Sequence, residues 1–371
     1  MSALSYAFAG GGTGGHLFPG LAVAEELRRL EPHASIRFLT TTRPLDRELL
    51  QHTGFEQITQ PVQPFTLHPA RLPAFVWSWR KSVRAARSLF QRQTPQAVLG
   101  LGGYAAGPAV VAARSLGIQT AILNPDAIPG RANRYLARRA DRVILQWEQS
   151  RNRFPPGTCC ETLGCPIRAA FTSADRSEGR QRFGLAPDRP VLLVTGASQG
   201  ARTINRAMQR VWPRFAARFP QWQLLHLSGP LDEHETRAAY AAAKADASVL
   251  AFTHEMPLAM AAADAVVSRA GASTLAELTA LGVPSVLLPY PYHRDRHQHA
   301  NARVLVEAGA AMLIEDRLDP ERNQGPVLEA LEQLAQTPAR KKMAIAARGL
   351  ARRDAAVRVA RHLRGTSHQP A

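Results

Sequence analysis

A histidine stands directly after a glycine-rich stretch near the start of the chain. The run GGGTGGHLFPG begins at Gly10, and the first five of its glycines come before His16. It lies between an apolar stretch at 3–9, typical of a buried strand, and a segment from Leu21 onward whose apolar residues have helical spacing. Glycines let backbone N–H groups approach a ligand, and a helix N-terminus favours an anion. We therefore expect a phosphate or diphosphate here, with an imidazole beside it.

Two other interpretations of this stretch stay open. Gly10, Gly12 and Gly15 match the spacing of a dinucleotide-binding loop, but such a loop expects an acid at the end of the next strand. That strand, at 35–42, ends in three threonines. The remaining interpretation is a plain glycine turn, which does not require His16.

The same arrangement of strand, small-residue loop and helix recurs at 189–208. Apolar strands alternate with helical segments through both halves, which predicts parallel, doubly wound sheets. We expect an α/β protein with two Rossmann-like domains that face each other across a cleft, where the active site lies. The predicted limits are 1–164 for the first domain and 165–340 for the second. A basic helical segment at 341–371 is expected to cross back to the first domain.

The chain of 371 residues carries a net charge of +17, so we expect anionic partners. No zinc-finger spacing or aromatic RNA-binding signature accompanies this charge, which argues against nucleic acid. The segment 71–90 combines Trp77 and Trp79 with basic residues in a helical pattern. This pattern is typical of a helix on an anionic membrane surface, although it also suits a helix packed inside the first domain.

The densest set of hydrogen-bonding side chains lies at 268–311. The stretch GASTLAEL predicts a helix capped by Ser273 or Thr274, whose first N–H groups suit a phosphate. Glu277, one turn inside that helix, either accepts the two hydroxyls of a ribose or is an ordinary exposed glutamate. The loop that follows holds three histidines, but arginines surround them and no second acidic cluster is present. We therefore predict recognition of sugar hydroxyls there and no metal site.

Five motifs resemble one enzyme family and occur in its order. They are GGTGGHLFPGLAVAEEL, GLGGYAAGP, GASQGARTIN, SRAGASTLAEL and DRHQHANA. In these motifs the chain resembles the MurG family, the membrane-associated N-acetylglucosaminyltransferases of peptidoglycan synthesis. The resemblance implies a GT-B fold and transfer of N-acetylglucosamine from UDP-N-acetylglucosamine to the C4 hydroxyl of undecaprenyl-diphosphoryl-N-acetylmuramoyl-pentapeptide. It also implies a peripheral enzyme at the cytoplasmic face of the bacterial inner membrane that needs no cofactor.

The resemblance further implies a set of substrate-binding residues. The residues expected to bind the sugar nucleotide are Thr13, Gly14, Gly15, Arg168, Ser198, Thr253, Ala272, Ser273, Thr274, Leu275, Ala276, Glu277 and Gln298. His16 and Tyr104 are expected on the acceptor side. The chain departs from the family pattern at 124–126, at His297 and at Ala197. The first two departures lie where the sugar and the acceptor are recognised, and we add the residues of those loops to the expected contacts: Asn124, Asp126, His297 and Asn301.

The transfer needs an activated acceptor hydroxyl and a stabilised diphosphate leaving group. Helix N-termini at 197–203 and 272–277, with Arg168, are predicted to stabilise that leaving group without a metal. His16 is the first candidate for the general base, because an imidazole titrates near the required pH. Asp126 is the second, because a carboxylate replaces the amide of the family there. A single displacement of this kind predicts inversion at the anomeric carbon.

Two rival hypotheses remain at this point. The departures at 124–126 allow a nucleotide-sugar transferase of the same fold with a different acceptor. The other rival is a nucleotide-sugar-binding protein without turnover, against which the presence of His16, Arg168 and Glu277 argues.

Overall fold

A computed structural model describes residues 4–66, 68–196, 200–292 and 295–365. The chain forms two compact units. The first contains Met1–Arg168 together with Arg352–Ala371, and the second contains Ala169–Ala351.

The first unit is built on a parallel sheet with the strand order β3-β2-β1-β4-β5-β6-β7 within the described residues. Its strands are β1 Ser5–Ala9, β2 Ser35–Thr40, β3 Glu56–Thr59, β4 Ala97–Gly100, β5 Gln119–Asn124, β6 Arg142–Leu145 and β7 Cys160–Thr162. Its first helices are α1 Gly14–Leu30, α2 Pro44–Leu50, α3 Leu72–Arg92, α4 Gly103–Ser115 and α5 Arg131–Leu136, and a 3₁₀ helix covers Glu148–Arg153.

The second unit repeats this plan with the strand order β10-β9-β8-β11-β12-β13, again within the described residues. Its helices are α6 Ala169–Ser173, α7 Arg176–Arg182, α8 Arg202–Arg218, α9 Glu233–Ala242, α10 Met256–Ala262, α11 Ala272–Leu281, α12 His297–Glu307, α13 Pro320–Ala335 and α14 Thr337–Gly349. Its strands are β8 Val191–Thr195, β9 Gln223–Leu227, β10 Ser248–Leu250, β11 Ala265–Ser268, β12 Ser285–Leu287 and β13 Ala311–Leu313.

The central strands explain why both sheets are parallel. All five residues of β1 and all five of β8 are buried, because helices cover both faces of each sheet. In each unit the order of the strands reverses beside the first strand, between β1 and β4 and between β8 and β11. Ligands of doubly wound sheets bind outside the carboxyl ends of the strands at such a switch point. The loops β1–α1 and β4–α4, and their counterparts β8–α8 and β11–α11, are therefore the places to look for a site.

The last helix, α15 (Ala355–Leu363), belongs to the first unit, where it packs on α1. Val359 is fully buried there and Leu363 is 1% exposed, and burying two such side chains contributes about 1.5–3 kcal/mol each. The preceding helix α14 packs on α11 and α13 and stays in the second unit. The chain therefore returns to the first unit after Ala351, later than the limit at residue 340 expected from the sequence.

Candidate functional site

The loop between β1 and α1 closes over a buried carboxylate. Asp46 is fully buried, and its Oδ1 accepts the N–H of Gly12 at 2.7 Å while its Oδ2 accepts the N–H of Thr41 at 3.1 Å. Gly11 and Gly12 have φ values of 152° and 83°, which favour glycine. A Cβ on Gly11 would lie 2.3 Å from Asp46 Oδ2. Sequence reasoning looked for an acid at the end of β2 and missed this one, which lies in α2.

His16 lies in the first turn of α1, because the helix begins at Gly14 rather than near Leu21. Its Nδ1 is 3.2 Å from Oγ1 of Thr13 and 3.4 Å from the carbonyl oxygen of Gly11. A carbonyl oxygen only accepts, so the tautomer protonated at Nδ1 donates to Gly11 and keeps its lone pair on Nε2.

The imidazole of His16 also contacts the second glycine loop, after β4. A Cβ on Gly103 would lie 3.2 Å from Cε1 of His16, and one on Gly102 would lie 3.3 Å from its Cδ2. The glycines after β4 thus leave room for the imidazole at the switch point of the first sheet. Tyr104 follows them in the first turn of α4 and is half-buried.

Asparagine side chains tie the loop after β5 to the same edge of the sheet. Asn133 Nδ2 donates to the carbonyl oxygen of Leu123 at 2.9 Å and to Oδ1 of Asn124 at 3.2 Å. Asn124 Nδ2 donates in turn to the carbonyl oxygen of Asp126 at 2.8 Å. Asn124 is 2% exposed, so its side chain shapes this turn, whereas Asp126 is half-buried. No motif surrounds Asn133, and sequence reasoning did not find it.

Arg168, the last residue of the first unit before the chain enters the second, lies beside the start of α1. Its guanidinium carbon lies 4.8 Å from the centroid of the Phe18 ring, a cation–π contact. Phe18 also covers Gly14, because a Cβ on that glycine would lie 2.9 Å from Phe18 Cε2. Thr13 and Gly15 are exposed around it. Arg168 therefore adds positive charge near a helix N-terminus that already favours anions.

In the second unit, α11 begins at Ala272 with Gly271 as its N-cap. Ser273 and Thr274 are therefore not caps, contrary to the expectation, because both already lie in the first helical turn. Gly271 supplies no side-chain cap, and no acid lies in the first turn of the helix. Its N–H groups are suited to an anion.

The side chains of α11 divide into a buried and a half-buried set. Leu275 is fully buried and Ala272 and Ala276 are each 8% exposed, so these three pack into the unit and can meet a ligand chiefly through their backbone. Ser273, Thr274 and Glu277 are half-buried.

Gln298 and Asn301 of α12 position the loop before α11. The Oε1 atom of Gln298 accepts the N–H of Tyr290 at 2.9 Å and the N–H of Ala270 at 3.3 Å. Asn301 is fully buried, and its Nδ2 donates to the carbonyl oxygen of Ala270 at 3.3 Å. These two side chains hold the segment directly after β11 against the segment directly after β12.

Two of the three histidines considered for a metal site, His297 and His299, lie in α12 and pair with acids, whereas His293 lies outside the described residues. His297 Nδ1 lies 2.8 Å from Asp295 Oδ1, and His299 Nε2 lies 3.2 Å from Glu315 Oε2. Across the described ranges no group of three or more His, Cys, Asp or Glu side chains is arranged to hold a metal ion.

Two of the expected nucleotide-binding residues remain. Thr253 is half-buried before α10, where its Oγ1 accepts the N–H of Glu255 at 3.0 Å. Ser198 lies outside the described residues.

A buried ion pair joins the two loops at the switch point of the second sheet. Arg269, directly after β11, donates from Nη1 to Oδ2 of Asp316 at 2.7 Å and from Nη2 to Oγ1 of Thr203 at 2.9 Å. Thr203, in the first turn of α8, donates to the same carboxylate at 2.5 Å. Burial would raise the pKa of Asp316, but hydrogen bonds from Thr203, Arg269 and Asn323 hold it below its usual value. Sequence reasoning missed this pair because its members are far apart in the chain.

A second buried network lies under the start of α8. His226 is fully buried, with Nδ1 2.9 Å from the hydroxyl of Tyr240 and Nε2 3.0 Å from Oδ1 of Asn205. Asn205 Nδ2 donates to the carbonyl oxygen of Ser228 at 2.7 Å and to Oδ2 of Asp232 at 2.9 Å. Burial lowers the pKa of His226 to about 3, so the imidazole is neutral near pH 7.

The two tryptophans of α3 differ in their exposure, because Trp77 is exposed and Trp79 is half-buried. Trp77 is 62% exposed, and Lys81 Nζ lies 4.8 Å from its ring centroid. Trp79 packs inward, since a Cβ on Gly107 of α4 would lie 2.2 Å from it, and its ring meets that of Tyr135. Residues two apart on a helix face different directions. The expectation of a membrane-facing role is therefore corrected for Trp79. No described helix combines the length and apolar character that a bilayer span needs.

Comparisons with known proteins decide the family. The glycosyltransferase family 28 N-terminal domain matches residues 6–145, and the C-terminal domain of the same family matches residues 191–359. A UDP-N-acetylglucosamine--N-acetylmuramyl-(pentapeptide) pyrophosphoryl-undecaprenol N-acetylglucosamine transferase of Prosthecochloris aestuarii is 36% identical over 372 residues, 97% of this chain and 98% of that protein. A protein of the same name from Desulforudis audaxviator is 39% identical over 317 residues, 83% and 84% of the two chains. This chain belongs to the MurG family of glycosyltransferases.

A solved structure agrees with this assignment. The crystal structure of Acinetobacter baumannii MurG has a TM-score of 0.76 and 28% identity, and the match covers 98% of this chain and 99% of that one. The expected fold class is confirmed: the chain has a GT-B fold of two α/β units with parallel sheets.

Proposed function

We propose that this chain transfers N-acetylglucosamine from UDP-N-acetylglucosamine to N-acetylmuramyl-(pentapeptide) pyrophosphoryl-undecaprenol, a step of peptidoglycan synthesis. The observation that carries this proposal is a match to relatives of that name along nearly the whole chain, through both family domains. The acceptor position is the C4 hydroxyl of the muramyl sugar, and a single displacement inverts the anomeric carbon.

The second unit is proposed to bind the sugar nucleotide. The start of α11, where Gly271 supplies no side-chain cap, directs backbone N–H groups toward the diphosphate, and the half-buried Glu277 accepts the ribose hydroxyls. As the bond from sugar to diphosphate breaks, negative charge grows on the diphosphate. Preoriented N–H donors stabilise this charge more in the transition state than in the ground state. Arg269 and Gln298 act indirectly, because they hold the loop before α11 in place.

The first unit is proposed to supply the general base. The acceptor hydroxyl must lose a proton as it attacks, and the imidazole of His16 offers a lone pair on Nε2 in the tautomer that donates from Nδ1 to Gly11. The imidazole lies between two glycine-rich loops, and the glycines beside it carry no side chains that would crowd it. Asp126, half-buried on the same sheet edge, is the alternative base.

The protein is proposed to work as a peripheral enzyme at the cytoplasmic face of the bacterial inner membrane. Trp77 is exposed on α3 beside Lys81, and Arg84 and Arg87 are exposed further along the helix. An exposed aromatic ring among basic side chains suits the headgroup region of an anionic bilayer. A lipid-linked acceptor is presented at such a surface.

The test is a transfer assay with purified protein, labelled UDP-N-acetylglucosamine and the lipid-linked muramyl-pentapeptide acceptor. The expected result is label in the lipid fraction together with stoichiometric release of UDP. Label that stays in the donor would refute turnover. Transfer to another lipid-linked sugar but not to the muramyl acceptor would favour the rival function, which rests on the Asp126 departure.

A further inference from the structure

A cavity of about 460 Å³ lies on the second unit, away from the loops described above. Its lining includes residues just before strands: Pro190 before β8, Trp222 before β9 and Asp264 before β11. These strands are parallel, so their amino ends share one edge of the sheet. The start of α11 lies at the opposite edge, after the carboxyl end of β11. The cavity is therefore separate from the proposed sugar-nucleotide site.

The cavity is rich in positive charge. Its charged lining consists of Arg176, Arg180, Arg189, Arg340, Asp188 and Asp264. Asp264 is already engaged, because its Oδ1 accepts from Arg176 at 2.6 Å and its Oδ2 accepts from Arg180 at 2.9 Å. Its Oδ2 also accepts the N–H of Val191 at 2.8 Å. Arg189 also pairs with Asp246 at 3.4 Å, so three carboxylates face four guanidinium groups. One positive charge remains in excess, and it attracts anions.

Arg340 is the most informative of these cations. Its Nη1 donates to the carbonyl oxygens of Leu334 at 2.8 Å and Ala335 at 3.2 Å, and its guanidinium carbon lies 5.1 Å from the Trp222 ring centroid. Among the described residues no carboxylate forms an ion pair with it within 4.0 Å. Burial lowers the pKa of Arg340, Asp264 opposes this shift, and the charge of Arg176 lowers the pKa further. A bound anion would offset the free-energy cost of burying the charge of Arg340.

The size and donors of the cavity indicate the class of ligand. Guanidinium groups recognise phosphates through paired hydrogen bonds. The volume falls within the range of about 300–1,000 Å³ typical of small-molecule sites and exceeds what one phosphate fills. We propose that this cavity is a second anion site, which binds a phosphorylated molecule of about nucleotide size by its phosphoryl groups. That phosphoryl group is carried either by a soluble metabolite or by a lipid headgroup.

Calorimetric titration with pyrophosphate tests the site, in the presence of saturating UDP-N-acetylglucosamine so that the sugar-nucleotide site is filled. The side chain of Arg176 is 48% exposed, so Arg176→Gln removes a ligand group without emptying the core. We expect it to weaken pyrophosphate binding roughly tenfold, the loss of one charged hydrogen bond. Arg340→Lys keeps the charge but not the paired geometry, and it should weaken binding as well.

The matched control is Arg322→Gln, which removes the same charge at the other end of α13 from the cavity. It should leave the dissociation constant unchanged. Vesicles with and without phosphatidic acid separate the two sources. If Arg176→Gln weakens the binding of pyrophosphate, the ligand is a soluble phosphorylated molecule. If Arg176→Gln weakens only the binding of vesicles that contain phosphatidic acid, the ligand is a lipid headgroup.

Equal binding of both probes by the wild type and by Arg176→Gln and Arg340→Lys would overturn the proposal. Pyrophosphate binding that disappears when UDP-N-acetylglucosamine is present would also overturn it, since the anion would then occupy the sugar-nucleotide site. A failed transfer assay would leave these titrations unaffected, because the cavity does not rest on the proposed reaction.

Discussion

The two switch points of this molecule have the same topology but different chemistry. In the first unit the imidazole of His16, which follows the loop after β1, lies against Gly102 and Gly103 in the loop after β4. In the second unit Arg269 after β11 bonds to Thr203 at the start of α8, and both donate to the buried carboxylate of Asp316. The first arrangement presents a side chain that can exchange a proton, and the second presents rigid backbone. This difference suggests that one unit activates the acceptor while the other holds the leaving group.

The largest effect is expected at the first switch point. His16→Ala should lower kcat by roughly 10²–10⁴-fold, because it removes the proposed general base, while the KM for the donor changes little. Steady-state kinetics with both substrates varied would measure this. Asp126→Asn is the comparison variant, since it restores the amide of the family. Full activity of His16→Ala together with an inactive Asp126→Asn would transfer the role of base to Asp126.

A substitution at the second switch point is expected to lower the stability of the protein. Arg269→Gln leaves the buried Asp316 without its cation, and breaking such a pair costs about 3–5 kcal/mol. Chemical denaturation followed by the fluorescence of Trp212 and Trp222, which are buried in the second unit, should show earlier unfolding. Arg303→Gln, at an exposed ion pair on α12, is the matched control and should change stability by less than about 1 kcal/mol. Equal stability of both variants would show that the ion pair does not hold these loops.

The buried network of His226 beneath α8 predicts that the stability of the protein depends on pH. Burial holds the pKa of His226 near 3, below its unfolded value of about 6.5, so the unfolded chain binds the extra proton. Stability from this group is complete above pH 6.5 and falls toward pH 3, by at most about 1.4 kcal/mol per pH unit. His226→Gln should flatten the dependence of the thermal midpoint on pH in this window. Burial also lowers the pKa of His362 in the first unit, so the slope should decrease without vanishing.

Motifs predicted the parts of the site that one stretch of chain builds alone. The glycine loop with His16 and the helix that carries Glu277 are each a single strand–loop–helix segment, so the sequence located both. The supports of these loops were not predicted, because they come from other elements: Asp46 from α2, Asn133 from α5 and Asp316 from the segment after β13. The prediction that Ser273 or Thr274 caps α11 was wrong, because Gly271, which has an extended backbone conformation, is the N-cap residue.

The smallest predicted effect concerns the membrane. Trp77→Ser should reduce binding to anionic liposomes several-fold without changing the thermal midpoint, because the ring is largely exposed. Trp79→Ser should instead lower stability, since that ring packs on Gly107. Liposome co-sedimentation and thermal denaturation of both variants measure the two effects. Unaltered liposome binding by Trp77→Ser would remove this helix from the membrane surface.

The division of labour between the units is tested most directly by calorimetric titration of UDP-N-acetylglucosamine into the wild type, His16→Ala and Glu277→Ala. If Glu277 binds the ribose as proposed, Glu277→Ala should weaken donor binding by about 1.5–3 kcal/mol, the loss of a charged hydrogen bond. His16→Ala should bind the donor like the wild type although it no longer turns over. Donor affinity that falls in His16→Ala and stays unchanged in Glu277→Ala would contradict the assignment of the leaving group to the second unit.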